Sequence, residues 1–303
     1  MSFISLADVS RADIDKLVEV SIDVFRSSGS PSRKLDGAIC GIYFSKTSTR
    51  TRTAFSTAAL RLGAQLVTFG PSDLQTNTGE SWPDTARTLG TMLDLIVIRT
   101  ARPLAELREF AYESGVPVVN AMAAEEHPTQ AIADLTVLRE RLGSLNGITV
   151  SYVGEGNNTA AALALALCRY ENTTLELCCP PGFDVPKRTI RQIEDLQCPS
   201  FQLRPLGSVA EIASHTDVIY TTRWQTTGTS KSDPLWWEKF RSYMVDDRLI
   251  ADCPKAWFMH DLPANRGQEV MSAVIDGTRS LVWDQVQAKY SSAVAVLDRT
   301  LRG

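Results

Sequence analysis

Short apolar runs alternating with helix-period segments predict an α/β protein built as two doubly wound parallel-sheet domains. Three observations carry that expectation. The runs at residues 38–44 and 95–98 are continuously apolar, as in strands covered on both faces, and those at 148–153 and 173–178 are short and apolar or β-branched except at Ser151 and Glu176. The segments between them place apolar residues three and four apart. The alternation occurs twice, without a repeat of the sequence itself, over 303 residues, a length that accommodates two ordinary domains.

Taken in order, residues 11–28 have helical periodicity through Ile14, Leu17, Val18, Ile22 and Phe25 and end in a Ser/Gly/Pro stretch. A strand at 38–44 leads into a helix with Phe55, Ala58, Ala59 and Leu62 on one face, then a strand at 65–69. Residues 70–81 form a polar loop too long for a simple turn. A helix near 83–92 precedes the strand 95–98, which ends at Arg99-Thr100, and helix 103–114, strand 116–120 and helix 129–142 follow. The second half reads as strand 148–153, helix 158–170, strand 173–178, helix 186–195, strand 217–221, helix 234–242, strand 256–259 and a closing helix over 284–301. The split falls in helix 129–142 or between residues 143 and 147, giving domains 1–143 and 144–283, with the terminal helix 284–303 packing back on the first.

Composition narrows the function classes. Hydrophobic residues are 44% and charged residues 22%, the net charge is −4, and no dense Lys/Arg run is present, so neither nucleic acid nor an anionic membrane is expected as a partner. The longest small-apolar run, 160–168, is too short to span a bilayer, and the first residues carry no secretory pattern, so the expected location is the cytoplasm. Six cysteines without a C-x-x-C pair or a His-containing ligand spacing read as reduced, mostly buried thiols and give no metal site.

Ser48-Thr49-Arg50-Thr51-Arg52 falls on the first strand-to-helix turn. The first turn of a helix offers backbone N–H groups outside the helical ladder and the positive end of its dipole, to which hydroxyls and a guanidinium add directed donors. A capped helix start would also use Ser and Thr, yet capping needs no cation there. The turn therefore reads as a phosphate site. Ligands of parallel sheets sit at the carboxyl ends of strands, where Arg99 and the segment after Asn120 also fall. His127-Pro128-Thr129-Gln130 is either an ordinary turn or a set of donors facing the same ligand.

Ser48-Thr49-Arg50-Thr51-Arg52, Arg99 at its strand end, His127-Pro128-Thr129-Gln130, Val153-Gly154-Glu155-Gly156-Asn157-Asn158 and His260-x-Leu262-Pro263 occur in the order and spacing of the aspartate/ornithine carbamoyltransferases, and the chain resembles that family over nearly its whole length. The resemblance implies the carbamoyltransferase fold and transfer of a carbamoyl group from carbamoyl phosphate to an amine, with release of phosphate and without metal, cofactor or covalent enzyme intermediate. It assigns Ser48, Thr49, Arg50 and Thr51 to the phosphate, Arg99 to phosphate and carbonyl oxygen, His127 and Gln130 to the carbamoyl oxygen and nitrogen, and the Leu262 carbonyl to the carbamoyl NH2. Gln75 matches a glutamine that a neighbouring subunit contributes in the ornithine branch, which implies a homotrimer with shared active sites. Otherwise the 70–81 loop is a mobile surface segment.

The acceptor side is a hybrid. Asn158 matches the residue that holds the amino-acid carboxylate in the ornithine branch, but the Asp of that branch which pairs with the α-ammonium is replaced by Thr222. Arg223 and Gln225 look instead like the aspartate branch, where they grip a side-chain carboxylate. Asp261 stands where the ornithine branch has Cys and the aspartate branch Pro; it is either an ammonium partner or a turn residue. Lys289 occupies a position at which the ornithine branch has Arg, and the two are not interchangeable at a bidentate site. The expected acceptor is thus an amino acid or amine other than ornithine or aspartate, such as a short diamino acid or a specialised-metabolism intermediate. The alternatives are ornithine itself with Asp261 replacing the missing Asp, a non-catalytic paralogue that binds carbamoyl phosphate, and a nucleotide-binding oxidoreductase. The last rests on Gly154-x-Gly156 alone, with Thr159 where its fingerprint needs Gly. His215 is expected on an exposed turn, and Trp236, Trp237, Trp257 and Trp283 in packing.

Overall fold

A computed structural model describes residues 1–27, 31–196, 198–226 and 229–302. Ser28, the last residue of the first expected helix, lies outside them, as do Thr227 and Gly228 of the acceptor segment. The chain divides into unit one, Met1–Thr136 with Gln287–Gly303, and unit two, Val137–Val286.

In unit one, β1 (Ile39–Phe44), β2 (Gln65–Phe69), β3 (Leu95–Arg99) and β4 (Val118–Met122) form a parallel sheet in the order β2-β1-β3-β4. Helices α1 (Arg11–Arg26), α2 (Arg50–Arg61), α3 (Trp82–Gly90), α4 (Leu104–Ser114) and α5 (Pro128–Leu142) connect or flank these strands, α5 running on into unit two. Strand order reverses between β1 and β3, and Phe44 pairs with Arg99 at that point, so the end of β1 and Arg99 share the switch point where such sheets bind ligands. The core beneath is Tyr43, Trp82, Ile96, Ile98 and Phe110, with the Trp82 and Phe110 ring centroids 4.6 Å apart and their planes tilted by 46°.

The strand expected at 116–120 begins two residues later. Gly115, at φ +67, ends α4, and Pro117 has no amide to give a ladder, so pairing starts at Val118 and runs to Met122. A register shift at Ile98/Arg99 lets Met122 pair with Arg99. The long polar loop contains a 3₁₀ turn, Gln75–Thr78.

In unit two, β5 (Thr149–Val153), β6 (Thr174–Cys178), β7 (Gln202–Leu206), β8 (Val218–Thr221) and β9 (Trp257–His260) are parallel in the order β7-β6-β5-β8-β9. Helices α6 (Asn158–Leu167), α7 (Lys187–Asp195), α8 (Asp247–Asp252) and α9 (Ser272–Ile275) complete it. Every residue of α6 is buried, which explains its Ala/Leu composition. Strand β7 was not expected: Pro205 and exposed Gln202 and Arg204 hide it from an apolar pattern, and both features suit the edge position it occupies. The helix expected at 234–242 is a 3₁₀ segment, Trp236–Tyr243. Here the order reverses between β5 and β8, which places the loops after Val153 and Thr221 together, with His260 paired to Thr221.

The chain closes with α10 (Val282–Arg302), whose residues from Gln287 onward belong to unit one. Five cysteines are buried, Cys198 is half-buried and all six are free thiols. His215 is exposed as expected, whereas Trp237 and Trp283 face solvent, at 41% and 61% exposure, rather than packing.

Candidate active site

Helix α2 opens directly after the Ser48-Thr49 pair, and its N-cap residue Thr49 makes no side-chain capping bond. The capping explanation for these hydroxyls is therefore not used. The first i→i−4 bond joins Thr53 N to the Thr49 carbonyl at 3.1 Å, so the amides ahead of it point out of the helix end. Thr51 is buried and receives a long bond of 3.5 Å from the Arg99 guanidinium, while Arg50 is half-buried and Arg52 exposed. Cations at the positive end of a helix are disfavoured by its dipole, and an anion bound there offsets that cost.

His127 follows β4 and opens α5. It lines a small cavity with Thr51, Ala54, Phe55, Thr129, Lys289 and Ser292. Burial, then the positive charges of Lys289 and Arg99, hold its pKa well below the usual histidine value, so the ring is neutral. The Thr129 hydroxyl lies 3.4 Å from Nδ1; where it donates there, the proton of the neutral ring sits on Nε2. Gln130 is fixed at both ends of its amide: Nε2 donates to Asp134 at 2.8 Å, and Oε1 accepts from the Lys289 ammonium. Lys289, 9% exposed, thus meets the donor set through Gln130 and the His127 cavity. Gln75 is exposed, its Oε1 accepting from Thr78 at 2.7 Å, and does not line that cavity.

Glu126, beside His127, gave no signal in the sequence because its partners are 120 and 121 residues away. It is 1% exposed; its carboxylate accepts from Leu6 N at 2.7 Å and bonds the Ser5 hydroxyl at 2.5 Å. Burial pushes its carboxyl up to about 7 despite those bonds.

Unit two builds a second cluster. Asn157 caps α6, its Oδ1 accepting from Thr159 N and from the Tyr152 hydroxyl at 3.2 Å. Its Nδ2 donates to Thr222 Oγ1 at 3.3 Å, and Thr222 donates onward to Asp261 Oδ1 at 3.0 Å. Thr159 holds the other carboxylate oxygen at 2.8 Å. A carboxylate has about four acceptor positions. Two are occupied, so Asp261, its side chain 14% exposed, keeps acceptor capacity for a cation. His260 does not compete: its Nδ1 already accepts from Leu262 N at 2.8 Å, so that nitrogen carries no proton to offer Asp261 at 3.6 Å. Its Nε2 faces Glu269 at 3.4 Å, and Leu262 itself stands at φ +54 before a cis proline. Asn158 is buried at the start of α6. Gln225 turns its amide to the Thr229 carbonyl at 2.9 Å within its own loop, away from Asp261. Arg223 has its Nε buried without a hydrogen-bond partner among the described residues.

Two family models divide the chain at the same place as these clusters: the aspartate/ornithine carbamoyltransferase carbamoyl-P binding domain matches residues 1–140, and the Asp/Orn binding domain matches residues 146–300. The chain belongs to the aspartate/ornithine carbamoyltransferase family. Among its relatives, an ornithine carbamoyltransferase of Gloeobacter violaceus is 34% identical over 302 residues, covering 99% of this chain and 95% of the relative. One from Methanothermobacter thermautotrophicus is 36% identical over 294 residues, covering 95% and 96%. The solved ornithine carbamoyltransferase of Pyrococcus furiosus superposes with a TM-score of 0.89 at 31% identity, over 100% of this chain and 97% of that one.

Family membership makes the chain a transferase of the carbamoyl group from carbamoyl phosphate, and sets aside both the oxidoreductase and the non-catalytic readings. Among the described residues no helix is long and apolar enough to cross a membrane. Besides Glu126, the carbamoyltransferase motifs did not reveal Thr159, Glu269 or Lys231, whose ammonium bonds Glu155 at 2.7 Å. Thr159 and Lys231 act through partners 102 and 76 residues away, and Glu269 through Asn265 and His260 on its own segment.

Proposed function

We propose that this carbamoyltransferase uses ornithine as its acceptor and that Asp261 supplies the carboxylate that its Thr222 position lacks. The observation that carries this is the 3.0 Å bond from Thr222 to Asp261, which sets a carboxylate beside the position where the ornithine branch has its Asp. The names of the relatives support the same acceptor and give no support to the expectation of a different one.

In this reading the α2 terminus with Ser48, Thr49, Arg50 and Thr51 holds the phosphate of the donor, and Arg99 reaches both phosphate and carbonyl oxygen. Attack by a neutral amine builds negative charge on that oxygen, and Arg99 and an Nε2–H of neutral His127 stabilise it in this reading. A preorganised donor of this kind is worth roughly 10²–10³ in rate. Gln130, locked between Asp134 and Lys289, takes the carbamoyl nitrogen, as does the Leu262 carbonyl. Asn158 takes the acceptor carboxylate and Asp261 its α-ammonium. The departing phosphate accepts the amine proton, so no protein base is needed. Gln75 serves a neighbouring copy, and the working assembly is a homotrimer in the cytoplasm. Mixing an inactive Gln75→Ala chain with an inactive Arg50→Ala chain then restores part of the activity, and a failure of every such mixture removes the shared site.

A second reading, a short diamino acid as acceptor, draws on Arg223, whose buried Nε suits a carboxylate. Phosphate release from carbamoyl phosphate with ornithine, lysine, aspartate, 2,3-diaminopropionate and 2,4-diaminobutyrate, each repeated in Arg50→Ala, separates the two. Turnover with ornithine, lost in the variant, is expected. Turnover with a shorter diamino acid and none with ornithine replaces the first reading by the second.

A further inference from the structure

Glu155 stands between two glycines that fix its backbone. Gly154 is at φ +119, and a Cβ on Gly156 would lie 2.2 Å from Val185 N. The carboxylate that this turn presents is shared. Oε2 accepts from Thr226 N at 3.3 Å and Thr226 Oγ1 at 3.0 Å, and Oε1 accepts from Lys231 Nζ at 2.7 Å. The same ammonium donates to the Trp224 carbonyl at 2.8 Å. Its remaining side faces aromatic rings, with Trp236, Phe183 and Phe240 centroids at 4.7, 5.2 and 5.5 Å. Lys231 is 8% exposed and Glu155 17% along their side chains. A buried ion pair adds little net stability, but losing either partner strands a charge. Cation–π contact and two directed bonds hold this ammonium in place.

The chain on either side carries the acceptor groups. Asn157 and Asn158 follow Glu155 at once, and Arg223 immediately precedes Trp224. We infer that Glu155 and Lys231 form a clasp that positions Arg223 and Asn158 together to receive the acceptor's carboxylate. The clasp rests on the assignment of Asn158 to the acceptor carboxylate made above and adds Arg223 to it, whichever amine is the acceptor. Neither residue touches substrate; each acts through the loops it joins.

The test uses the full chain with Glu155→Gln, Lys231→Met, Lys231→Arg and the Glu155→Gln/Lys231→Met pair. With either single neutral variant, KM for the acceptor rises about tenfold or more while KM for carbamoyl phosphate stays within about twofold. The double variant is no worse than the worse single, and Lys231→Arg recovers part of the loss. Trypsin provides a readout independent of turnover: cleavage after Arg223 and Lys231 is faster in Glu155→Gln than in the parent. Equal rises in both KM values overturn the positioning role, as does an unchanged acceptor KM. If the parent ignores ornithine, the acceptor assignment fails and the amine that is turned over takes its place in the KM comparison. Unchanged trypsin cleavage in Glu155→Gln overturns the clasp whatever the acceptor.

Discussion

In unit one the groups proposed to hold the donor's phosphate come from one short stretch, 48–51, and from Arg99, a strand end paired to the end of β1. In unit two the Asp261 carboxylate is reached by hydroxyls from the loop after β8 and from α6, 39 and 102 residues away. One site is a property of a local motif; the other is a property of the assembled sheet. The difference teaches that a family can keep its donor chemistry in a few adjacent residues while exchanging acceptor groups between loops that meet only after folding.

Substitutions can break or sharpen that contrast. The largest effect is expected from the local site. Arg99→Ala or Arg50→Ala lowers kcat/KM for carbamoyl phosphate by about 10²–10³, measured by phosphate release at saturating acceptor. The dispersed site gives less and is recoverable. Asp261→Asn lowers kcat/KM for the acceptor by about 10²-fold, and adding Thr222→Asp to Asp261→Cys returns much of it, since the two side chains share a hydrogen bond. A double variant no better than Asp261→Cys alone would show that the carboxylate cannot be exchanged between these loops.

A third effect lies in stability. The Glu126 carboxyl is raised from 4.5 to about 7, chiefly by burial, with Asp8 adding to the rise and the bonds from Leu6 and Ser5 and the charge of Arg108 opposing it. Between those values the folded state keeps a proton that the unfolded chain has released. Its contribution is therefore full below the lower value and is lost as pH rises to the upper one, on the order of 3 kcal/mol at most. Glu126→Gln removes that slope, so the gap between urea midpoints at pH 5 and pH 8 narrows relative to the parent. The smallest effect is electrostatic. Lys289→Met removes one of the charges that depress His127, and its NMR titration moves up toward the usual histidine range.

What the sequence disclosed follows the same division. The parallel sheets and the strand-to-helix turn at 48–52 were legible because strand runs and such a turn are local, as is the four-residue motif at His127, which the fold sets at the start of α5 in a cavity shared with Thr51. Strand β7 was hidden because an edge strand with Pro205 needs no apolar alternation, and the segment at Trp236 gave a helical period whether it wound as α or 3₁₀. Glu126 and Lys231 were silent for another reason. A buried carboxylate or ammonium is defined by its partners, and Ser5 and Glu155 are 121 and 76 residues from theirs. Asp261 lay between the two cases: its departure from both branches was visible, but the bonds from Thr159 and Thr222 that hold its carboxylate come from residues 102 and 39 positions away.

Unit two is one continuous run, Val137–Val286, whereas unit one is completed by Gln287–Gly303. During synthesis the acceptor unit has all its residues while the donor unit still lacks its last helix turns. Gln130 must wait for Lys289, 159 residues later, which at about 5–20 residues per second is roughly 8–30 seconds. Through that interval the Ser21 and Thr136 hydroxyls also lack Ser291, which completes their buried chain. The half that is begun first is therefore finished last, and a ribosome-bound chain holding residues up to 286 has an acceptor unit free to fold beside a donor unit that is still open.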